Sequence, residues 1–206
     1  MIEKGYFIIT DITGYTIFLT HSELDHAHHI IQALFDSQLK TIGEPLKVSN
    51  FQGDAILCYV PEESIEDGTL LTEQIESIYT AFDEQMAAMQ VDPPCGCNAC
   101  ANIAMLDLKI FVHYGEYMVK AVGDRDELLG SDVIVAHRMM KNDVPEKTGI
   151  KSYLLMSKVA SDHPGVTNER KERLKYSETY EHIGEVPMYV SQLGSGTGSS
   201  FQPVSA

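Results

Sequence analysis

The chain has 206 residues, 44% of them apolar and 22% charged, a composition that supports a packed core without cross-links and excludes disorder as the main state. Its 15 Lys+Arg against 30 Asp+Glu leave a formal net charge of −15, a field that repels phosphate backbones and anionic lipid, so no nucleic acid and no membrane surface is expected as a partner. No apolar run approaches the length of a membrane span, and Met1-Ile2-Glu3-Lys4-Gly5-Tyr6 lacks the layout of a secretory signal, so the expected compartment is the cytoplasm.

Gly5-Tyr6-Phe7-Ile8-Ile9-Thr10 reads as a strand buried on both faces, ending at the turn Asp11-Ile12-Thr13-Gly14-Tyr15-Thr16. A helix is predicted from about Ser22, with Leu24, Ala27, Ile31, Leu34, Phe35 and Leu39 recurring at three- and four-residue steps. Leu46 to Gln52 and Ala55 to Val60 read as a hairpin through Gly53-Asp54. Most of Pro61 to Pro94 reads as a second helix, because Leu71, Ile75, Ile78, Phe82, Met86 and Met89 make one apolar stripe. Leu106 to His113 and Glu116 to Val122 are predicted as a strand pair turning at Tyr114-Gly115. Gly130-Ser131-Asp132 opens a third helix reaching about Asn142. Tyr153 to Met156 is a further strand, and extended segments follow around Lys175–Tyr180 and Met188–Leu193. This order predicts an α+β domain over residues 1–193, with an antiparallel-rich, ferredoxin-like sheet and helices packed on one face. The Gly/Ser-rich stretch 194–206 is predicted as a flexible tail.

Two features carry chemistry. The first is Asp11 at a strand end and Asp54 in a hairpin turn. Neighbouring strands would bring both carboxylates to one rim, where they repel unless one is protonated or a hard cation such as Mg²⁺ or Mn²⁺ joins them. Two turn-forming surface aspartates are the plainer reading. The second is the loop 92–102, where Cys95, Cys97 and Cys100 crowd together. Such a set is a candidate Zn²⁺ site with Cys58 or His113 as the fourth ligand, a redox-active thiol pair, or ordinary loop thiols. His26 and His29 share a helix face as a second, weaker ligand pair or as solvent-facing side chains. His137 lines the same cleft as Arg138 or packs, and His113 reads as a hydrogen-bonded core residue.

Phe7-Ile8-Ile9-Thr10-Asp11-Ile12-Thr13-Gly14-Tyr15-Thr16 resembles the first motif of the class III nucleotidyl cyclase homology domain, and Gly53-Asp54-Ala55 resembles the second. Leu108 to Glu116 resembles the next strand pair with its turn glycine, and Gly130 to Met139 the motif opening the following helix. The resemblance implies the nucleotide cyclase fold and a head-to-tail homodimer. It implies conversion of a nucleoside triphosphate to a 3′,5′-cyclic nucleotide and pyrophosphate. Asp11, Asp54 and the Ile12 carbonyl would hold the Mg²⁺ or Mn²⁺ ions, the backbone from Ile12 to Phe18 would cradle the β- and γ-phosphates, and Arg138 would face the α-phosphate. Three positions depart from the family pattern. Ile134 replaces the asparagine that orients the ribose, Asn50 replaces a base-reading lysine, and Glu127 replaces its carboxylate partner. The base stays open, as does the alternative of a nucleotide- or metal-binding relative acting as a regulatory or interaction module.

Overall fold

In a computed structural model of the chain, residues 1–65, 68–91, 96–123, 125–164, 166 and 173–194 are described, without the side chains of residues 125 and 126. The expected tail beyond Gly194, and Cys95 in the cysteine loop, lie outside the described residues.

The first strand, β1 (Glu3–Thr13), is buried without interruption from Gly5 to Thr10, so both of its faces need cover. On one face Tyr6, Ile8 and Ile12 pack with α2 (Leu24–Thr41) and, after the hairpin of β2 (Lys47–Gln52) and β3 (Ala55–Pro61), with α3 (Gly68–Val91). The stripe Leu71, Ile75, Ile78, Phe82 and Met86 of α3 is buried there, with Met89 half-buried beside it. On the other face Phe7 and Ile9 join Leu57 and Phe111 beneath Val133, Ala136 and Met139 of a later helix, α5 (Ser131–Met139). The two longest helices thus share one face while the short α5 lies on the opposite one.

Two details differ from the reading of the early chain. The turn after Asp11 winds into a helix, α1 (Tyr15–Thr20), and α2 starts at Leu24 with Glu23 as its N-cap residue and no side-chain cap. Leu24, the first residue of the predicted stripe, is 71% exposed, because α2 meets the sheet only from Ala27 onward.

After α4 (Asn98–Asn102) the chain forms β4 (Asp107–Val122), one strand of 16 residues, where a strand pair had been expected. Gly115 makes no turn. It stays paired with Gly5 of β1, and an added Cβ would lie 2.3 Å from the Asp132 side chain. The glycine serves the close approach of α5, whose Asp132 carboxylate accepts from the Glu116 amide at 2.7 Å. β4 turns back further on into β5 (Arg125–Leu129), pairing Met118 with Leu129.

Beyond α5 come α6 (Val144–Thr148), β6 (Tyr153–Ser157), α7 (Lys158–Asp162) and the antiparallel pair β7 (Leu174–Tyr180) and β8 (Gly184–Gln192). The 8-stranded sheet runs β2-β3-β1-β4-β6-β8-β7, with β5 on β4. Among the described strand pairs, only β4–β6 is parallel. The α+β, antiparallel-rich architecture is the one the sequence implied.

Candidate functional site

The two aspartates meet where β1 ends. Asp11 stands opposite Ala55 in the β1–β3 register, and the adjacent Ile12 amide donates to the Asp54 carbonyl at 3.2 Å. Gly53, at φ 64°, lets the chain turn in two residues so that Asp54 sits beside the strand end. Asp11 is half-buried on the α5 face, in phase with Phe7 and Ile9. Burial, and then the charge of Asp54, push its carboxyl up to about 6, against a downward pull from Lys109. Lys109 faces Asp11 across the β1–β4 ladder, and its Nζ lies 5.6 Å from the centre of the Tyr153 ring. Sequence reasoning missed this lysine, although a lone cation between Leu108 and Ile110 was a visible signal.

Downstream of Asp11, Ile12 is fully buried, which leaves its backbone as the part able to bind anything. Gly14 takes φ 82° and passes so close to the loop before β4 that a Cβ would come 2.5 Å from the Met105 carbonyl. That contact aims the chain into α1. Thr13 Oγ1 is buried with no hydrogen-bond partner among the described residues. Tyr15 packs partly on the sheet face covered by α2 and α3, Thr16 is exposed, and the Phe18 amide is already bonded to the Gly14 carbonyl.

A second group forms across β2 and β5. Asn50 Nδ2 donates to Glu127 Oε2 at 3.1 Å, and Gln52 Nε2 donates to Asn50 Oδ1 at 3.3 Å. The same Gln52 nitrogen lies 2.9 Å from His137 Nε2, while His137 Nδ1 lies 2.7 Å from the Val133 carbonyl. A carbonyl only accepts and an amide nitrogen only donates, so this geometry fits the tautomer with its proton on Nδ1. Gln52 and His137 were not anticipated as a pair. Arg138, Ile134 and Lys141 line a cavity of about 490 Å³ between α5 and the end of β5, whose lining contains neither Asp11 nor Asp54. Ile134 is 55% exposed there.

The cysteine loop folds against the start of α2. His26 Nδ1 lies 3.1 Å from Cys97 Sγ, and the ligand atoms of His26, Cys97 and Cys100 all fall within 4.8 Å of one another. The fourth ligands suggested from the sequence are elsewhere. Cys58 is buried in β3, its thiol pushed up to about 12 by burial. His113 is buried against Ser157, with Nδ1 2.8 Å from Oγ, and burial holds it below the usual histidine range despite Asp132 nearby. His26 joins the cysteines and not His29, which is exposed beside His28.

Comparison with known families places residues 31–148, more than half of the chain, within the family described as "Protein of unknown function (DUF2652)". The chain belongs to that family. The matched span of this DUF2652 chain holds Asn50, Asp54, Cys97, Cys100, Glu127, Ile134 and Arg138, but begins after Asp11 and His26. It is 28% identical over 150 residues to the uncharacterized protein Rv2561/Rv2562 of Mycobacterium tuberculosis, covering 73% of this chain and 68% of that one. Its backbone is similar to the guanylyl cyclase Cya2 (TM-score 0.73, 13% identity, 98% of each chain). It is similar also to the guanylate cyclase domain of a Catenaria anguillulae protein in complex with GTP (TM-score 0.62, 13% identity, 93% of this chain and 98% of that one). A third similar structure is the adenylyl cyclase CyaB from P. aeruginosa (TM-score 0.55, 13% identity, 96% and 98%). DUF2652 thus has, in this member, the fold of nucleotidyl cyclase catalytic domains.

Proposed function

We propose that this chain is a divergent nucleotidyl cyclase-like protein. It binds a nucleoside triphosphate through Mg²⁺ or Mn²⁺ at Asp11 and Asp54 and converts it to a 3′,5′-cyclic nucleotide and pyrophosphate. The observation that carries the reading is the half-buried Asp11 carboxylate beside the charge of Asp54. Asp11 is held up near 6 by burial and by Asp54 even with Lys109 opposite, so one lysine does not neutralise the rim and the hard oxygen donors fit a divalent cation. Cations bound there, with the Ile12 carbonyl as a further ligand, would acidify an attacking hydroxyl and offset charge on the phosphates.

The chain's own groups supply the rest. Backbone amides between Thr13 and Thr16, with Gly14 and Tyr15 between them, hold the terminal phosphates. Arg138 stabilises charge at the α-phosphate, while Asn50 and Glu127, already bonded to each other, meet an edge of the base. Because the cavity of Arg138 excludes the aspartates, a full site needs two chains, and we propose a homodimer. The exposed cross-strand pair Met118 and Leu129, with Val122 beyond, supplies apolar surface on the β4–β5 arm. The cytoplasm is the proposed location; no helix among the described residues is long and apolar enough to cross a membrane.

A second reading, nucleotide binding without turnover in a regulatory module, draws on Ile134, which presents an apolar group where a ribose-orienting donor is expected. Incubation with each of the four nucleoside triphosphates and Mn²⁺, with product read by mass spectrometry, separates the two. The proposal expects a cyclic product from the wild type that falls at least ~10²-fold in Asp11→Ala. No product, with a triphosphate-dependent rise in Tm, supports the second reading. Neither product nor stabilisation contradicts both.

A further inference from the structure

The group formed by His26, Cys97 and Cys100 belongs to none of the nucleotide chemistry above. It is built from two helical pairs facing each other. Glu23 and His26 lie three residues apart at the start of α2, and Cys97 and Cys100 lie three apart at the start of α4. Tetrahedral zinc, with bonds of about 2.3 Å to sulfur and 2.0 Å to nitrogen, sets ligand atoms roughly 3.4–3.8 Å from one another. Here all three ligand atoms already fall within 4.8 Å of one another, with His26 Nδ1 to Cys97 Sγ at 3.1 Å, so small side-chain adjustments bring them to one cation. Cys97 and Cys100 are thiols, not half-cystines. Cys100 is 8% exposed and the other two are half-buried, so the ligands are fixed by packing yet reachable.

The surroundings hold this arrangement in place. The Glu23 carboxylate accepts from the Ala99 amide and from Asn98 Nδ2, each at 3.1 Å, and so ties the cysteine-bearing turn to the residue that caps the histidine-bearing helix. The Cys100 amide reaches Cys97 Sγ at 3.5 Å, and Asn102 Nδ2 donates to the His21 carbonyl at 3.4 Å. Amide donors toward a sulfur favour its thiolate form, the form that binds metal.

We infer that His26, Cys97 and Cys100 form a binding site for one soft divalent cation, zinc above all, and supply its ligands among the described residues. The cation clamps the loop after α3 to the start of α2. It sits in the layer that also carries α1 through the Gly14–Met105 contact, so the clamp braces the segment next to the carboxylate rim.

The test uses the full chain, reduced and stripped with a chelator, and titrates Co²⁺ and then Zn²⁺ alone. The expected result is one equivalent of Co²⁺ with sulfur-to-metal charge-transfer absorption, displaced by Zn²⁺. Cys97→Ser and Cys100→Ser lose that absorption, and His26→Ala weakens binding at least ~10-fold. Asp11→Asn retains the equivalent, which separates this site from the nucleotide reading. Circular dichroism checks the fold of each variant. Should a variant not fold, X-ray absorption of the zinc-loaded wild type decides. Imidazole with at least two sulfurs supports the site; a shell without imidazole, or with fewer than two sulfurs, overturns it. No metal uptake by the reduced wild type, or equal affinity in a folded His26→Ala variant, also overturns it.

Discussion

Asp11 is the residue on which the chemistry turns, and its ionisation is less favourable in the metal-free fold than in the unfolded chain. Its folded pKa stands above the ordinary carboxylate value, at about 6, chiefly through burial and next through Asp54. The folded state therefore binds this proton more tightly than the unfolded chain does. Asp11 thus contributes stability that is complete below the unfolded pKa of about 4 and is lost as pH rises through about 6. In chelator, Asp11→Asn is expected to gain Tm over the wild type at pH 7.5 and to lose that advantage at pH 4. Paired melting curves check it, and an equal difference at both pH values would refute the cause assigned to the shift. Ile134 gives the complementary test. An asparagine at this exposed position on α5 restores a donor toward a ribose, so Ile134→Asn is expected to raise kcat by about 10-fold or more with little change in KM. Steady-state kinetics checks it, and a change confined to KM would remove the orienting role.

At the scale of elements, α5 is placed by a missing side chain. Gly115 lets Asp132 come down onto β4 and accept from the Glu116 amide, and the helix then carries Arg138 to the cavity beside β5. Gly115→Ala puts a Cβ 2.3 Å from the Asp132 side chain and is expected to cost about 1–3 kcal/mol. The measurement is the urea midpoint, and an unchanged midpoint would mean that α5 shifts freely. This glycine also marks a limit of the sequence. Tyr114-Gly115 reads as a turn because a glycine between apolar runs usually is one, and nothing local announces that a helix 16 positions on needs the space. The placement of Asp11 at a strand end and of Asp54 in a hairpin turn was legible because each lies in a short, self-contained pattern: a buried strand running into a glycine turn, and a two-residue hairpin. The β1 core was legible from its unbroken apolar run and the α3 core from the period of its stripe, each a local pattern. His26 beside Cys97 was not, since the two are 71 positions apart and meet only when the α3–β4 connection packs on α2.

For the whole molecule, the net charge of −15 makes binding of a triphosphate depend on local cations. Lys109 stands at the carboxylate rim, and Arg138 and Lys141 at the cavity beyond α5. The division of these groups between two places in one chain, together with the apolar β4–β5 arm, is what makes the proposed homodimer part of the chemistry. The proposed role of the carboxylate pair still stands or falls on shared occupancy of the rim by a cation. Manganese titrated into the full chain with a non-hydrolysable triphosphate analogue, with free Mn²⁺ read by electron paramagnetic resonance, tests it most directly. Loss of the free Mn²⁺ signal in the wild type, and its return in both Asp11→Asn and Asp54→Asn, is the predicted result. Manganese uptake that is absent from the wild type, or undiminished in either variant, would contradict it.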